Sequence, residues 1–149
     1  VQLHVIPVAG LSLIGYYDYE KQTDGAAART YKLDAYFEMV KNLTLGLEYF
    51  SYDNETKLTA DKVQYKPSGF SVFGNYVFKR DELAVFGRYD AYEPNDKVGN
   101  NKVNLVIAGV DWAPWGPSVK LQPNIWLYDY EDGAKKNDVV FQFTFFMSF

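Results

Sequence analysis

The sequence contains no cysteine and only one histidine in 149 residues. Without cysteine the chain can form neither a disulfide framework nor a thiolate metal site. The single histidine, His4, cannot by itself supply the ligands of a transition-metal site, and it is the only base available for a serine–histidine–aspartate arrangement. We therefore predict no metal, no cofactor and no catalytic residue, and we assign His4 to a polar position on a strand.

Long apolar segments and an excess of basic residues are also missing. No segment reaches the roughly 18 consecutive apolar residues of a membrane helix. The chain carries 15 basic and 19 acidic residues, a net charge of -4, and this balance excludes a basic surface for nucleic acid. Because the sequence has no phosphate-binding loop, dinucleotide-binding fingerprint or nucleophile elbow, we predict that it is not an enzyme.

Aromatic side chains are abundant: they make up 18% of the sequence, with 13 Tyr and 11 Phe. The mean hydropathy is nevertheless -0.27, so apolar residues must be interleaved with polar ones. An alternation with a period of two, typical of β-strands, recurs along the whole chain. The predicted strands are residues 11–21, 31–40, 43–52, 70–79, 83–92, 103–113, 119–130 and 139–149.

The connections between these predicted strands are alternately long and short. The long ones are 22–30, 53–69, 93–102 and 131–138, and the short ones are 41–42, 80–82 and 114–118. An up-and-down antiparallel sheet with loops on one rim and tight turns on the other has this rhythm, and transmembrane barrels show the same asymmetry. We therefore predict one all-β domain over residues 1–149, an antiparallel up-and-down transmembrane β-barrel.

Three features indicate that the apolar faces point outward to lipid. The predicted strands are about 10 residues long, the length that a tilted strand needs to cross a bilayer. Charged residues lie near mid-strand on the opposite face, where a dry core would penalise them by several kcal/mol and a wet lumen would not. Amphipathic rings favour the membrane interface, and aromatic residues gather at the strand ends of the apolar face. These are Tyr17, Tyr19, Tyr31, Tyr49, Phe78, Tyr89, Trp112 and Phe149.

The first ten residues allow two interpretations. Leu3 and Val5 alternate with Gln2 and His4, which predicts the tail of a ninth strand, and residues 7–10 then form a short turn. In that case the chain begins inside a strand and is the C-terminal part of a larger barrel. The alternative is a short periplasmic leader before a complete eight-stranded barrel.

The C-terminal strand carries a family resemblance. Its apolar positions alternate up to a final phenylalanine: they are Phe141, Phe143, Phe145, Met147 and Phe149. This ending resembles the insertion signal of bacterial outer-membrane proteins, and residues 108–112 with the turn 114–117 resemble the last hairpins of porin-type barrels. The resemblance implies an integral outer-membrane location, contacts with lipid and lipopolysaccharide, and recognition by the barrel assembly machinery. It also implies an aqueous channel, assembled as a monomer or as a homo-oligomer.

The polar face provides candidate pore-lining residues. They are Asp18, Lys32, Asp34, Glu38, Glu48, Lys79, Arg88, Asp90, Lys120 and Trp126. Acidic residues dominate the first three predicted strands and basic residues the later ones, so a transverse field across a lumen is one hypothesis. Salt bridges within the wall, which merely neutralise one another, are the alternative.

Two functions remain open at this point. One is a porin-type channel for passive diffusion of small hydrophilic solutes or ions. The other is a complete eight-stranded barrel with a filled interior, acting as a membrane anchor, adhesin or envelope-stabilising protein. Many large rings face inward, and because an eight-stranded barrel has little interior room, we favour the wider channel.

Overall fold

The computed structural model describes residues 1–21, 27–54 and 65–148, and these residues form one antiparallel sheet of nine strands. The strands are β1 (Gln2–Val8), β2 (Leu11–Lys21), β3 (Ala27–Phe37), β4 (Leu43–Asn54), β5 (Ser68–Lys79), β6 (Leu83–Glu93), β7 (Val103–Trp112), β8 (Val119–Tyr130) and β9 (Asp138–Met147). The predicted all-β, up-and-down antiparallel architecture is confirmed, and so is the additional strand at the N-terminal end.

Each strand pairs with its neighbours in the sequence, so the spatial order is β1 to β9 without a crossover. In the described part of the chain, β1 and β9 each pair on one side only, and the sheet is therefore open rather than closed on itself. Over the same residues, no helix is long and apolar enough to cross a membrane.

The boundaries of β3 differ from the prediction. β3 begins at Ala27 rather than at residue 31, because the β2–β3 ladder continues as far as the pair Lys21–Ala27. It ends at Phe37 rather than at residue 40, because the chain then enters the turn to β4. In that turn the backbone N–H of Glu38 donates to the carbonyl oxygen of Gly10, at 2.7 Å, and so ties two neighbouring turns together.

The four short turns lie on one rim of the sheet, and each contains a residue in the left-handed region. These residues are Gly10 (φ 82°), Asn42 (φ 66°), Asp81 (φ 60°) and Gly116 (φ 91°). Glycine adopts this conformation freely, and Asn and Asp tolerate it better than other side chains do. The residue types at these four positions therefore explain why the chain reverses so tightly on this rim.

The sheet has one apolar face and one polar face. Leu47, Val72 and Tyr89 lie side by side on adjacent strands of the apolar face. The residues next to these in the sequence, Glu48, Ser71 and Asp90, lie side by side on the polar face.

No second layer covers the apolar face in the described residues, and Leu47 and Val72 are each 45% exposed. The buried apolar side chains of that part of the chain are all alanines, Ala27, Ala28, Ala84 and Ala113. The sheet therefore has no enclosed hydrophobic core of its own, unlike a soluble two-layer β-sandwich.

Aromatic rings rest on glycines of the polar face. The ring of Phe73 on β5 lies over Gly46 on β4, and the ring of Phe50 on β4 lies over Gly69 on β5. A Cβ atom at either glycine would overlap the ring. The glycines thus allow large side chains to lie flat against the sheet, where they bridge neighbouring strands.

The β7–β8 ladder is interrupted beside Pro123. Its paired residues stop at Gly109–Asn124 and resume at Trp112–Leu121. Proline has no backbone N–H to donate, so a gap in the ladder is expected beside it. β8 continues through this gap, because its pairing with β9 on the other side is uninterrupted.

Candidate functional site

A polar cluster surrounds Arg88 on the polar face. The Nε of Arg88 donates to both carboxylate oxygens of Asp90, at 2.7 and 3.0 Å. Its Nη2 donates to Glu48 Oε2 at 3.3 Å and to Ser71 Oγ at 2.9 Å. The hydroxyl of Ser71 in turn donates to Asp90 Oδ1. We call these four residues the Arg88 cluster.

The sheet register explains how this cluster forms. Glu48, Ser71 and Asp90 are direct neighbours on β4, β5 and β6, and Arg88 precedes Asp90 by two residues on the same face. Because Ser71 is small, the guanidinium can reach across β5 to Glu48 on the next strand but one. The carbon at the centre of the guanidinium lies 5.7 Å from the centre of the Phe73 ring, a cation–π distance.

Tyr36 and Asp34 extend this region onto β3. The hydroxyl of Tyr36 donates to Glu48 Oε1 at 3.4 Å, and the Tyr36 ring meets the Phe73 ring edge-on, at 5.9 Å between centres. Asp34 lies directly opposite Glu48. Its Oδ1 is buried and accepts no hydrogen bond from the described residues. Two carboxylates therefore stand side by side, and the guanidinium reaches only one of them.

The predicted basic residues on the later strands form ion pairs within the wall. Arg88 is held by Glu48 and Asp90. The Nζ of Lys120 lies 3.6 Å from Asp111 Oδ2 on the neighbouring strand. These contacts agree with the salt-bridge alternative for both bases. A transverse field needs a second wall that faces this one. The hypothesis of a transverse field therefore stays a prediction, which applies to a closed barrel.

The other candidate charges do not join the Arg88 cluster. Asp18 and Lys32 lie on the polar face of β2 and β3 and are exposed. Glu38 follows the end of β3, at the short-turn rim. Lys79 also lies at that rim, where its Nζ is 2.6 Å from Glu82 Oε2 in the following turn. The structure therefore places Glu38 and Lys79 at the edge of the polar face rather than near its middle.

Trp126 belongs to a row of three aromatic residues on β8. Its Nε1 donates to Asn124 Oδ1 at 2.5 Å, which fixes the orientation of the indole. The Trp126 and Tyr128 ring centres are 6.3 Å apart, and those of Tyr128 and Tyr130 are 6.2 Å apart with nearly parallel planes. We call Trp126, Tyr128 and Tyr130 the β8 aromatic row.

The described positions of the predicted insertion signal on β9 lie on the apolar face and are exposed. They are Phe141, Phe143, Phe145 and Met147. Phe149, the last residue of the predicted insertion signal, lies outside the described residues. The structure therefore shows the alternating strand that such a signal requires, and its recognition by an assembly machinery stays a prediction.

Hydrogen bonds tie two long loops together at the other rim. The backbone N–H of Lys66 donates to Asp96 Oδ1, and Lys97 Nζ donates to Asp96 Oδ2, both at 2.8 Å. The hydrogen bond from Lys97 and then that from Lys66 lower the pKa of the Asp96 carboxyl below its ordinary 3.8. The charged form of Asp96 is therefore the one that holds the loops together.

Sequence reasoning missed the residues that connect the candidates. Ser71 directly faces Asp90 in the sheet register, and Asp111 forms an ion pair with Lys120 beside the gap in the β7–β8 ladder, but the sequence predicts no role for either residue. Tyr128 belongs to the large rings that the sequence predicts to face inward, and Tyr130, which has no predicted role, shares its period-two spacing. Within residues 1–21, 27–54 and 65–148, no group of three or more histidine or acidic side chains is arranged to hold a metal ion.

Comparisons of the chain with protein-family models, with curated proteins and with solved structures find no match.

Proposed function

We propose that this sheet is part of the wall of a transmembrane β-barrel in the bacterial outer membrane. We further propose that the barrel is a porin-type channel for passive diffusion of small hydrophilic solutes or ions. The observation that carries the membrane wall is the uncovered apolar face, which continues across adjacent strands from β2 to β9, and the charged polar face opposite it supports the channel. In water such a surface costs about 25 cal/mol for each Å² of apolar area, and lipid removes that cost.

The position of the charges supports a membrane setting. Charged residues on the apolar face lie at the long-loop ends of the strands; they are Lys21, Arg29, Asp53, Glu93 and Asp129. On the polar face, by contrast, Asp34, Glu48 and Arg88 lie in the middle of their strands. Charge is costly at the lipid-facing midplane and inexpensive in a wet lumen, so this division is what a channel wall requires.

Strand length also supports the proposal. β2, β3 and β6 each have 11 residues. Such a strand is about 33 Å long and, tilted by about 40°, spans about 25 Å, which is the height of the apolar band of an outer-membrane barrel. Tyr17 and Tyr31 pack against each other at the long-loop end of this band, and Trp112 lies at its other end. Aromatic residues at both ends are expected of interfacial belts.

The pairing of β1 favours a wide barrel over a complete eight-stranded one. Closing β2–β9 into eight strands would require β9 to pair with the edge of β2 that β1 occupies. β1 and β9 run in the same direction, because both are odd-numbered strands of an up-and-down sheet. Antiparallel closure therefore needs an odd number of further strands, and a barrel of ten or more is wider than the anchor or adhesin alternative.

The proposed setting defines the partners. Outer-membrane lipid and lipopolysaccharide would cover the apolar face, and the barrel assembly machinery would recognise the β9 pattern during insertion. The barrel would act as a monomer or as a homo-oligomer, and nucleic acid has no part in the proposal.

Two measurements on the intact protein test the proposal. Unheated samples from outer membranes should migrate differently from boiled ones on a gel, because a membrane barrel stays folded in detergent until it is heated. Purified protein in a planar bilayer should give discrete single-channel currents. A heat-modifiable protein without conductance would favour the anchor or adhesin alternative, and a protein found only in soluble fractions would contradict both.

A further inference from the structure

We propose that the polar-face side of β8 binds linear, uncharged oligosaccharides along the β8 aromatic row. The binding site depends only on residues that the structure describes. Only the transport of the bound sugar rests on the channel function proposed above.

The geometry of the β8 aromatic row provides successive stacking surfaces. Alternate residues of a strand share one face, so Trp126, Tyr128 and Tyr130 follow one another along the wall. Their ring centres repeat at 6.3 and 6.2 Å, and none of the three rings is buried. One face of a pyranose ring consists of C–H groups, and these pack well on an aromatic surface. A chain of sugar units can therefore pass from one ring to the next.

The neighbouring residues on β7 make the floor of this surface apolar. Val103 lies opposite Tyr130, and Leu105 lies opposite Tyr128. Ile107 lies opposite Trp126. An apolar floor offers little to an ion, which would lose its hydration there. The same floor suits the C–H face of a sugar.

Amide side chains continue the same line toward the short-turn rim. Asn124 and Gln122 occupy the next alternate positions of β8 beyond Trp126. Gln142 of β9 lies opposite Asn124, and Thr144 of β9 lies opposite Gln122. Amide and hydroxyl groups donate and accept hydrogen bonds, as sugar hydroxyls do. The arrangement therefore combines stacking surfaces with uncharged hydrogen-bonding groups, which is the combination that a neutral sugar needs.

The charge distribution distinguishes this region from the rest of the polar face. From residue 122 to residue 130, the positions of β8 on the polar face carry no charge. The nearest base on that face of the strand, Lys120, is already paired with Asp111. At the loop end of the row, Lys135 Nζ lies 5.5 Å from the centre of the Tyr130 ring, and Asp138 lies opposite Tyr128, so the charges near the row are confined to that end. The Arg88 cluster, two strands away, is built from charges instead.

Calorimetric titration of the detergent-purified intact protein with maltohexaose and with cellohexaose tests the proposal. At least one of the two sugars should bind. Tyr128→Leu and Trp126→Leu should each weaken binding by about 3- to 10-fold, because each removes one stacking surface. Tyr128→Phe keeps the ring and should stay within about 2-fold of the original affinity.

Trp112→Leu is the matched control. Trp112 lies on the apolar face, so the same loss of an indole should leave sugar binding unchanged. Heat-modifiable mobility verifies that every variant is folded. Absence of binding by both sugars, or equal binding by Trp126→Leu and Trp112→Leu, would overturn the proposal. Single-channel currents are recorded separately: binding without conductance removes the channel but keeps the site, and conductance without binding does the reverse.

Discussion

The two faces of this sheet are held by different kinds of contact. On the apolar face, rings meet between adjacent strands, as in Tyr17–Tyr31 at 5.2 Å and Phe70–Tyr89 at 5.8 Å. On the polar face, side chains also reach across an intervening strand, and Arg88 contacts Glu48 in this way. The apolar face is thus held by contacts between neighbouring strands, whereas the polar face also links strands that are not neighbours.

This difference shows where each face obtains its stability. The apolar side chains are exposed and gain little from one another, so most of their free energy must come from the medium that covers them. The polar side chains are partly shielded by their own hydrogen bonds and by rings such as Phe73. In the proposed membrane setting, substitutions on the apolar face should therefore act through lipid, and substitutions on the polar face through neighbouring side chains.

The largest effect is expected from a charge placed on the apolar face. Val72→Lys puts an ammonium group in the middle of β5, where the proposed contact with lipid would cost about 2–4 kcal/mol. Asn75→Lys, on the polar face of the same strand, should change the stability by less than about 1 kcal/mol, because water solvates it. Denaturant unfolding in lipid vesicles measures both variants. Equal destabilisation of the two would mean that the faces do not differ in their surroundings.

Alanine substitutions of glycine should change the stability by a smaller amount, and the change should have opposite signs on the two faces. Gly46→Ala introduces a methyl group where the Phe73 ring lies, and overpacking of this kind costs about 1–3 kcal/mol. Gly15→Ala, on the apolar face of β2, meets no atom within 4 Å and should stabilise the strand by about 0.5–1 kcal/mol. The same unfolding assay detects the sign. Stabilisation by both substitutions would show that the ring moves aside freely.

The sequence predicts the strands and their faces well, because a period of two is a local property. It predicts the partners of Arg88 poorly, because their contact depends on the register of β4, β5 and β6. Ser71 illustrates the limit: a serine in a strand carries no signal until its neighbours, Glu48 and Asp90, are known. Register is set by turn geometry and side-chain packing together, so the Arg88 cluster could not be read from alternation alone.

Removal of Arg88 is expected to have a moderate effect. Arg88→Gln leaves Glu48 and Asp90 without their shared base, and since the Arg88 side chain is 38% exposed, the loss should be about 1 kcal/mol rather than that of a buried pair. Salt should reduce the loss, because it screens the remaining carboxylates. Arg80→Gln, in an exposed turn, is the control and should have almost no effect. A loss of stability as large as that caused by Val72→Lys would mean that water has much less access to the cluster than its exposure indicates.

The smallest effect should be confined to the loop rim, which belongs to neither face. The pKa of Asp96 is lowered in the folded protein. The stability that its hydrogen bonds give to the loop rim is therefore fully present above the ordinary carboxyl pKa, and it is lost as the pH falls through the lowered pKa. The amide of Lys66, which donates to Asp96, should then lose protection from hydrogen exchange at acidic pH, after correction for the intrinsic rate. Asp96→Asn should remove this pH dependence while both faces of the sheet keep their protection. Loss of protection across β4 or β5 in the same pH range would mean that the rim and the sheet unfold together.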